Sequence, residues 1–512
     1  MSDKSANYFK LVLAAGFLLL VFVAMHTFFG TSINGGAFLL IAAVVGGYMA
    51  MNIGANDVAN NVGPAVGSGA MTMGAAIVLA AVFEFGGAVI AGGDVVGTVK
   101  SSIIDPELVG DDAAFIWLML AALLAGAVWL NIATYLGAPV STTHSIVGGV
   151  LGAGIAAGGL GVANWSVLGK IAMSWVISPV MGGAIAAIFL YTILRLVADR
   201  ENVIDAAKKV VPYLIAIMAW AFATYLAIKG LKKVFPVDFL TATLIGLGAA
   251  ILVFLVVKPR IAKKAQALPN ERESVNYLFA TPLIFAAALL SFAHGANDVA
   301  NAVGPLAAIN DALASGGVSA KAAIPLWVMG VGALGIAVGL ALFGPKLIRT
   351  VGSEITHLDK TRAFCVALAA AITVIIASQL GLPVSSTHIA VGGVFGVGFL
   401  REYLEANQKR VLAELGDRIR GDDEEAVKGF IAKFEASAIS NQGKLIKKLR
   451  KGKFAGLSLA KKDRRKLVSV HKKEVVKRSL VTKIVTAWVI TVPASGLMAF
   501  VFYFTIRGFM LP

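Results

Sequence analysis

Residues Met51–Pro64 read MNIGANDVANNVGP, and residues Phe292–Pro305 read FAHGANDVANAVGP. Ten of the last eleven positions agree, at an offset of 241 residues. Each copy places an aspartate among asparagines within an apolar stretch. An Asp at the centre of a membrane helix costs about 2.5–3.5 kcal/mol on insertion scales. Two such residues require partners that compensate for them, and the surrounding sequence indicates which.

The 512-residue chain is 58% hydrophobic, and its mean hydropathy is +0.82. Soluble domains are usually about 45–50% apolar. Apolar runs of about 18 or more residues with few charges recur along the chain, and such runs cross a bilayer as helices. A barrel would show short alternating segments instead. The reading is an all-α, polytopic helical membrane protein of the cell (inner) membrane. It has about 12–13 transmembrane segments, some of them broken or re-entrant. Helices are expected near 9–30, 36–52, 72–93, 113–136, 140–157, 168–195, 211–229, 236–257, 276–293, 320–343, 362–381, 384–400 and 483–507. Most of the 55 glycines fall in these runs, where small residues let helices approach closely. Cys365 is the one cysteine, so no internal disulfide forms. Lys4 and Lys10 precede the apolar run Leu11–Phe29. A signal peptide begins this way, but the run is long for one and no clear small-x-small site follows. A retained helix is expected.

The duplication extends beyond the aspartate motif. Gly137–Gly154 (GAPVSTTHSIVGGVLGAG) pairs with Gly381–Gly398 (GLPVSSTHIAVGGVFGVG) at an offset of 244. Lys170–Ser178 (KIAMSWVIS) pairs with Lys483–Thr491 (KIVTAWVIT) at an offset of 313. The second copy therefore holds an insertion, placed at 401–480. The implied division is an N-terminal helix and short loop at 1–35, a first transport repeat at 36–195 and linking helices at 196–275. A second repeat follows at 276–400, then the insertion, then its last helix at 481–512.

Loop charge orients the copies. The insertion carries 22 Lys+Arg against 11 Asp+Glu, and basic loops stay in the cytoplasm. A basic stretch can also bind nucleic acid or acidic lipid, but a solvated cytoplasmic loop accounts for most of this charge. Asp94–Asp112 holds one Lys and five acids, whereas Gly344–Arg362 holds four cations and two acids. The link 155–168 is uncharged, and its counterpart is the basic insertion. Segments 195–210 and 258–275 are cation-rich and placed inside. Loop 229–238, with three Lys, fits this scheme poorly because it must lie outside. First-repeat loops thus read as outside, second-repeat loops as inside, and the C-terminus as outside. This is an inverted-topology repeat, which many secondary transporters use to build a site near the midplane.

Asn56, Asp57 and Asn60, with Asn297, Asp298 and Asn301, offer carboxylate and amide oxygens and no Lys or Arg within either motif. Such oxygens suit a hard cation such as sodium. The flanking glycines and Val-Gly-Pro suggest an interrupted helix whose free carbonyls could join the site. The alternative is that the polar groups only bridge helices. Pro139–His144 (PVSTTH) and Pro383–His388 (PVSSTH) each read as a helix start. Free N–H groups and hydroxyls at a helix start suit an anion. Two such starts, facing each other, would surround one tetrahedral oxyanion; ordinary capping is the alternative. His144 and His388 could titrate, or could only tie neighbouring helices together. An oxyanion beside two carboxylates is repulsive. A cation bound between them makes each ligand depend on the other, as symport requires.

With both motif pairs in view, the doubled GANDVAN and the doubled PVS[ST]TH resemble the inorganic phosphate transporter (PiT) family, sodium/phosphate symporter type. The resemblance covers almost everything from residue 36 to residue 507. It implies inorganic phosphate symport driven by sodium, a two-repeat helical core and often a homodimer. No cofactor is expected beyond the coupling sodium ions. No enzymatic activity and no nucleic-acid partner are expected. Carried over by the motifs, Ser141, Thr142, Thr143, Ser385, Ser386 and Thr387 would bind phosphate, with Asp57 and Asp298 close enough to touch it. Asn56, Asp57, Asn60, Asn297, Asp298 and Asn301 would bind the coupling cation. Helix 9–30 looks like an addition to the family core. Glu84 lies in an apolar run and is similar to a membrane glutamate of the family, although its repeat partner reads as apolar. Competing readings are a proton-coupled phosphate or metal-phosphate symporter, a permease for another oxyanion such as sulfate, a cation channel, and a sensor signalling through 401–480.

Overall fold

The computed structural model describes residues 3–29, 36–230, 235, 237–315, 324–353, 358–418 and 478–510. The insertion expected at 401–480 therefore lies outside the described residues from 419 to 477. Within the described residues the chain is helical, with one isolated bridge between Ile104 and Ala163. Eleven stretches are long and apolar enough to cross a membrane.

The N-terminal helix α1 (Asp3–Phe29) is followed by α2 (Gly36–Asn56) and α3 (Ala59–Gly67), then α4 (Met73–Ala91) and α5 (Gly93–Ser101). Helices α6 (Asp112–Leu136) and α7 (Thr142–Gly158) form a hairpin, and α8 (Trp165–Ile193) follows it. Linking helices α9 (Val203–Lys229), α10 (Phe239–Gln266) and α11 (Arg272–Leu278) lead to the second set. That set comprises α12 (Ala280–Asp298), α13 (Ala300–Ser315), α14 (Leu326–Ser353), the hairpin α15 (Lys360–Gln379) and α16 (Ser386–Arg418), and α17 (Arg478–Met510).

The two hairpins arise from the same local chemistry. Asp111 caps α6 by accepting from Ala114 N at 2.6 Å, and Asp359 caps α15 by accepting from Arg362 N at 2.8 Å. Each first arm ends at a glycine in the left-handed region, Gly137 (φ 71°) and Gly381 (φ 65°). That conformation strains any residue with a Cβ. Pro139 and Pro383 then stop the helix from continuing. Ser141 and Ser385 restart it, accepting from His144 N at 3.1 Å and His388 N at 3.2 Å.

The hairpins pack crosswise between the repeats. Helix α7 lies against α17 and α16 against α8. A methyl group at Gly152 would overlap the backbone of Gly496, and one at Gly396 would overlap that of Gly183. Glycine at these positions is what lets the backbones meet. The aspartate helices use the same device: Gly54 faces the backbone of Ile336, and Gly295 faces the backbone of Glu84.

The aspartate motifs interrupt their helices, as expected: α2 ends at Asn56 and α3 starts at Ala59, while α12 ends at Asp298 and α13 starts at Ala300. At Asp57–Val58 the helix tightens: Asn60 N donates to Asp57 O and Asn61 N to Val58 O, both at 3.0 Å. Asp57 O also accepts from Asn60 Nδ2 at 3.0 Å. In the second copy Val299 N reaches Gly295 O at 3.4 Å, and Ala302 N and Val303 N both turn to Val299 O at 3.1 and 2.9 Å. In an apolar interior an unpaired carbonyl costs several kcal/mol. Tightening to i→i+3 bonds meets part of that need locally.

Candidate functional site

Asp57 and Asp298, at the ends of α2 and α12, are buried together with the starts of α7 and α16. Each carboxylate accepts hydroxyls from both repeats. Thr142 Oγ1 donates to Asp57 Oδ2 at 2.6 Å, and Thr387 Oγ1 donates to Asp57 Oδ1 at 2.9 Å. Ser386 Oγ donates to Asp298 Oδ2 at 2.7 Å, and Thr143 Oγ1 lies 3.1 Å from Asp298 Oδ1. Thr143 Oγ1 also reaches Val384 O at 2.9 Å, so its single proton is shared. The pattern is reciprocal: Thr142 and Ser386 serve the aspartate of their own repeat, and Thr143 and Thr387 serve the other.

Asn60 and Asn301 complete this layer. Asn60 Nδ2 donates to Thr387 Oγ1 at 2.9 Å, and Asn301 Nδ2 donates to Thr143 Oγ1 at 3.2 Å and to Asp298 Oδ1 at 3.1 Å. Their carbonyl oxygens, Asn60 Oδ1 and Asn301 Oδ1, are buried and unpartnered. An unsatisfied buried acceptor costs about 1–3 kcal/mol. Two equivalent ones beside two carboxylates make an oxygen-rich donor set that fits a hard cation.

Other expected residues stand one layer back. Asn56 Nδ2 donates to Thr134 Oγ1 at 2.9 Å and Asn56 Oδ1 accepts from Val140 N at 3.1 Å. Asn297 Nδ2 donates to Ser378 Oγ at 2.9 Å. Both asparagines therefore brace the tips of the hairpins. Ser141 and Ser385 spend their side-chain oxygens on helix capping. His144 and His388 stack edge to face at 4.3 Å, flanked by Trp175 at 3.8 Å and Trp488 at 3.6 Å. This aromatic stack joins the two hairpins behind the hydroxyls.

Two residues beside Glu84, Asn61 and His294, were missed by sequence reasoning. Glu84 accepts from Asn61 Nδ2 at 2.7 Å and contacts His294 Nδ1 at 2.7 Å. His294 Nε2 lies 2.8 Å from Asp298 Oδ2. The ring thus bridges two carboxylates, and both its nitrogens donate only in the protonated form. Ligand atoms of Asp57, His294 and Asp298 all lie within 4.8 Å of one another. Like charges at that spacing repel by roughly 3–4 kcal/mol at an effective dielectric of about 20. A cation or an imidazolium has to offset this. A signal for His294 and Asn61 existed: they stand where the motif copies differ, opposite Ile53 and Ala302.

The tip of each hairpin is tied across the repeats. Lys346 Nζ donates to Tyr135 O at 2.8 Å, and Thr98 Oγ1 donates to Gly381 O at 2.8 Å. Lys229 Nζ approaches Ser378 O at 3.5 Å.

Among the described residues, eleven membrane-length helical stretches around a buried, two-sided carboxylate and hydroxyl cluster define a multi-pass transporter core. The phosphate transporter family model matches residues 53–499. A "Putative phosphate permease" of Helicobacter pylori is 53% identical over 507 residues, covering 97% of this chain and 95% of that protein. Another so described, from Pyrococcus furiosus, is 40% identical over 364 residues, covering 71% of this chain and 87% of its own. A solved structure titled "The sodium-dependent phosphate transporter" superposes with a TM-score of 0.75 at 31% identity, covering 93% of this chain and all of that one. This chain belongs to the phosphate transporter family.

Proposed function

We propose that this protein carries inorganic phosphate into the cell by symport with sodium. The observation that carries this reading is the reciprocal set of four hydroxyls on two aspartates, with two unpartnered amide oxygens beside it. Phosphate would enter between the helix starts at Thr142 and Ser386, taking hydroxyl protons that now point at the carboxylates. The carboxylates then lose hydrogen-bond donors while a second anion arrives. Sodium held by Asp57, Asp298, Asn60 and Asn301 would offset both losses, so neither ligand binds well alone. The superposed structure is that of a sodium-dependent phosphate transporter, which supports the same coupling. Labelled phosphate uptake into proteoliposomes tests this. Uptake should follow an inward sodium gradient and resist excess sulfate. Uptake that ignores sodium would overturn the coupling.

A second reading, proton coupling, is favoured by His294 bridging Glu84 and Asp298. An imposed proton gradient, without sodium, separates the two.

The loop charges support an inside location for 344–362 and the insertion, and an outside location for 94–112 and the C-terminus. Cysteines placed at Leu108 and Arg349 in a Cys365→Ala background test it, since both side chains are exposed. In intact cells an impermeant thiol reagent should label only Leu108→Cys. Labelling of both from one side would remove the inverted repeat.

A further inference from the structure

Helix α10 packs almost wholly on α9. Between α10, α9 and α12 lies a groove of about 580 Å³. Its walls are apolar, with Phe222, Val253, Phe285 and Leu289 among them. Phe285 is 59% exposed, so the groove opens sideways toward lipid. At one end the lining changes character to Arg260, Lys264 and Thr281, all exposed.

The dimensions match a single leaflet. On α10 the lining runs from Leu252 to Lys264, about 18 Å of helix at 1.5 Å per residue. Half of a bilayer's hydrocarbon core is about 15 Å. The apolar wall thus spans one leaflet, and the two cations, one helical turn apart, stand at headgroup depth. Thr281, next to the start of α12, adds a hydroxyl at the same level. We propose that this groove is a binding site for one anionic phospholipid, its phosphate held by Arg260 and Lys264 and its acyl chain laid against α9 and α12.

The site has a route to the transport core. Its inner wall, Phe222, packs edge to face on Phe292 at 5.4 Å, two residues before His294. A lipid here would fill the space between the linking helix α10 and the aspartate helix α12. The inference depends on the chain lying in a bilayer, and it is independent of the substrate and the coupling ion.

The test is native mass spectrometry of the full-length protein released from micelles holding equal phosphatidylglycerol and phosphatidylcholine. Wild type should retain one phosphatidylglycerol per protomer in preference to phosphatidylcholine. Two cations contribute about fivefold each near an anionic headgroup, so Arg260→Gln/Lys264→Gln should weaken phosphatidylglycerol binding about thirty-fold. Val256→Trp, filling the groove from its exposed side, should remove the bound lipid with both cations intact. Equal retention of the two lipids, or unchanged retention in these variants, would overturn the proposal. Release of the lipid by added inorganic phosphate would make this a soluble-anion site instead. Efficient disulfide cross-linking of Val256→Cys protomers in membranes would make it a seam between two copies of the chain.

Discussion

The two half-sites share one hydroxyl and amide chemistry and differ in what stands behind their aspartates. Behind Asp298 are His294 and Glu84, with Asn61 completing the chain of contacts. The matching positions in the other half hold Ile53, Ile336 and Ala302. The correspondence of Glu84 with Ile336 follows from the backbones that Gly295 and Gly54 face. Groups that would surround a symmetric oxyanion are duplicated. The groups behind Asp298, namely His294, Glu84 and Asn61, are present once.

The largest effect is expected where the halves agree. Asp57→Asn and Asp298→Asn should each yield folded protein whose phosphate uptake falls to background in proteoliposomes. Near-normal uptake by both would end the cation-site reading. A large difference between them would show that the His294 side carries a separate role.

The next effect targets where they differ. Removing one partner of a buried charged pair costs about 3–5 kcal/mol, whereas replacing both with apolar groups is often near neutral. Glu84→Ile and His294→Ile should therefore each lower thermal stability sharply. The double variant, which copies the first half, should recover much of the loss. If the two single effects simply add, the pair is not a coupled unit.

Hydroxyl removal should act evenly across the halves. Losing one hydrogen bond to a charged group costs about 1.5–3 kcal/mol, or roughly one to two decades in affinity. Thr143→Val and Thr387→Val, measured by phosphate titration, should weaken binding by similar factors. Ser141→Ala and Ser385→Ala should act on stability instead, by about 1 kcal/mol each, as lost helix caps.

The smallest effect concerns the segment present in one repeat only. Deleting residues 419–477 and joining the ends with a flexible linker should leave uptake measurable, since no repeated motif falls inside. A folded deletion without uptake would place that segment in the machine itself.

Much of the site was legible because its residues contradict their surroundings. Asp57, Asp298 and the hydroxyls after Pro139 and Pro383 stand out in apolar sequence, and duplication made them unambiguous. Less legible was the division of labour among neighbours. Nothing in PVSTTH distinguishes a capping Ser141 from a Thr142 aimed at Asp57, because that depends on the rotation of a helix start. Asn56 and Asn60 are one turn apart in the same motif. Yet Asn56 braces its own hairpin, while Asn60 crosses to Thr387.

The sequence by itself determined that this chain spans a membrane, that it is built twice, and that each copy carries an acid and a hydroxyl-bearing helix start. Apolar length and the cost of a buried charge are local properties, and they can be read residue by residue. Tertiary structure decided which partner each polar group meets. Thr387 serves Asp57 across 330 residues and Glu84 meets His294 across 210, contacts set by glycine-lined crossings between repeats. The physical reason is that a membrane interior demands a partner for each polar group, while helix packing alone determines which one is within reach.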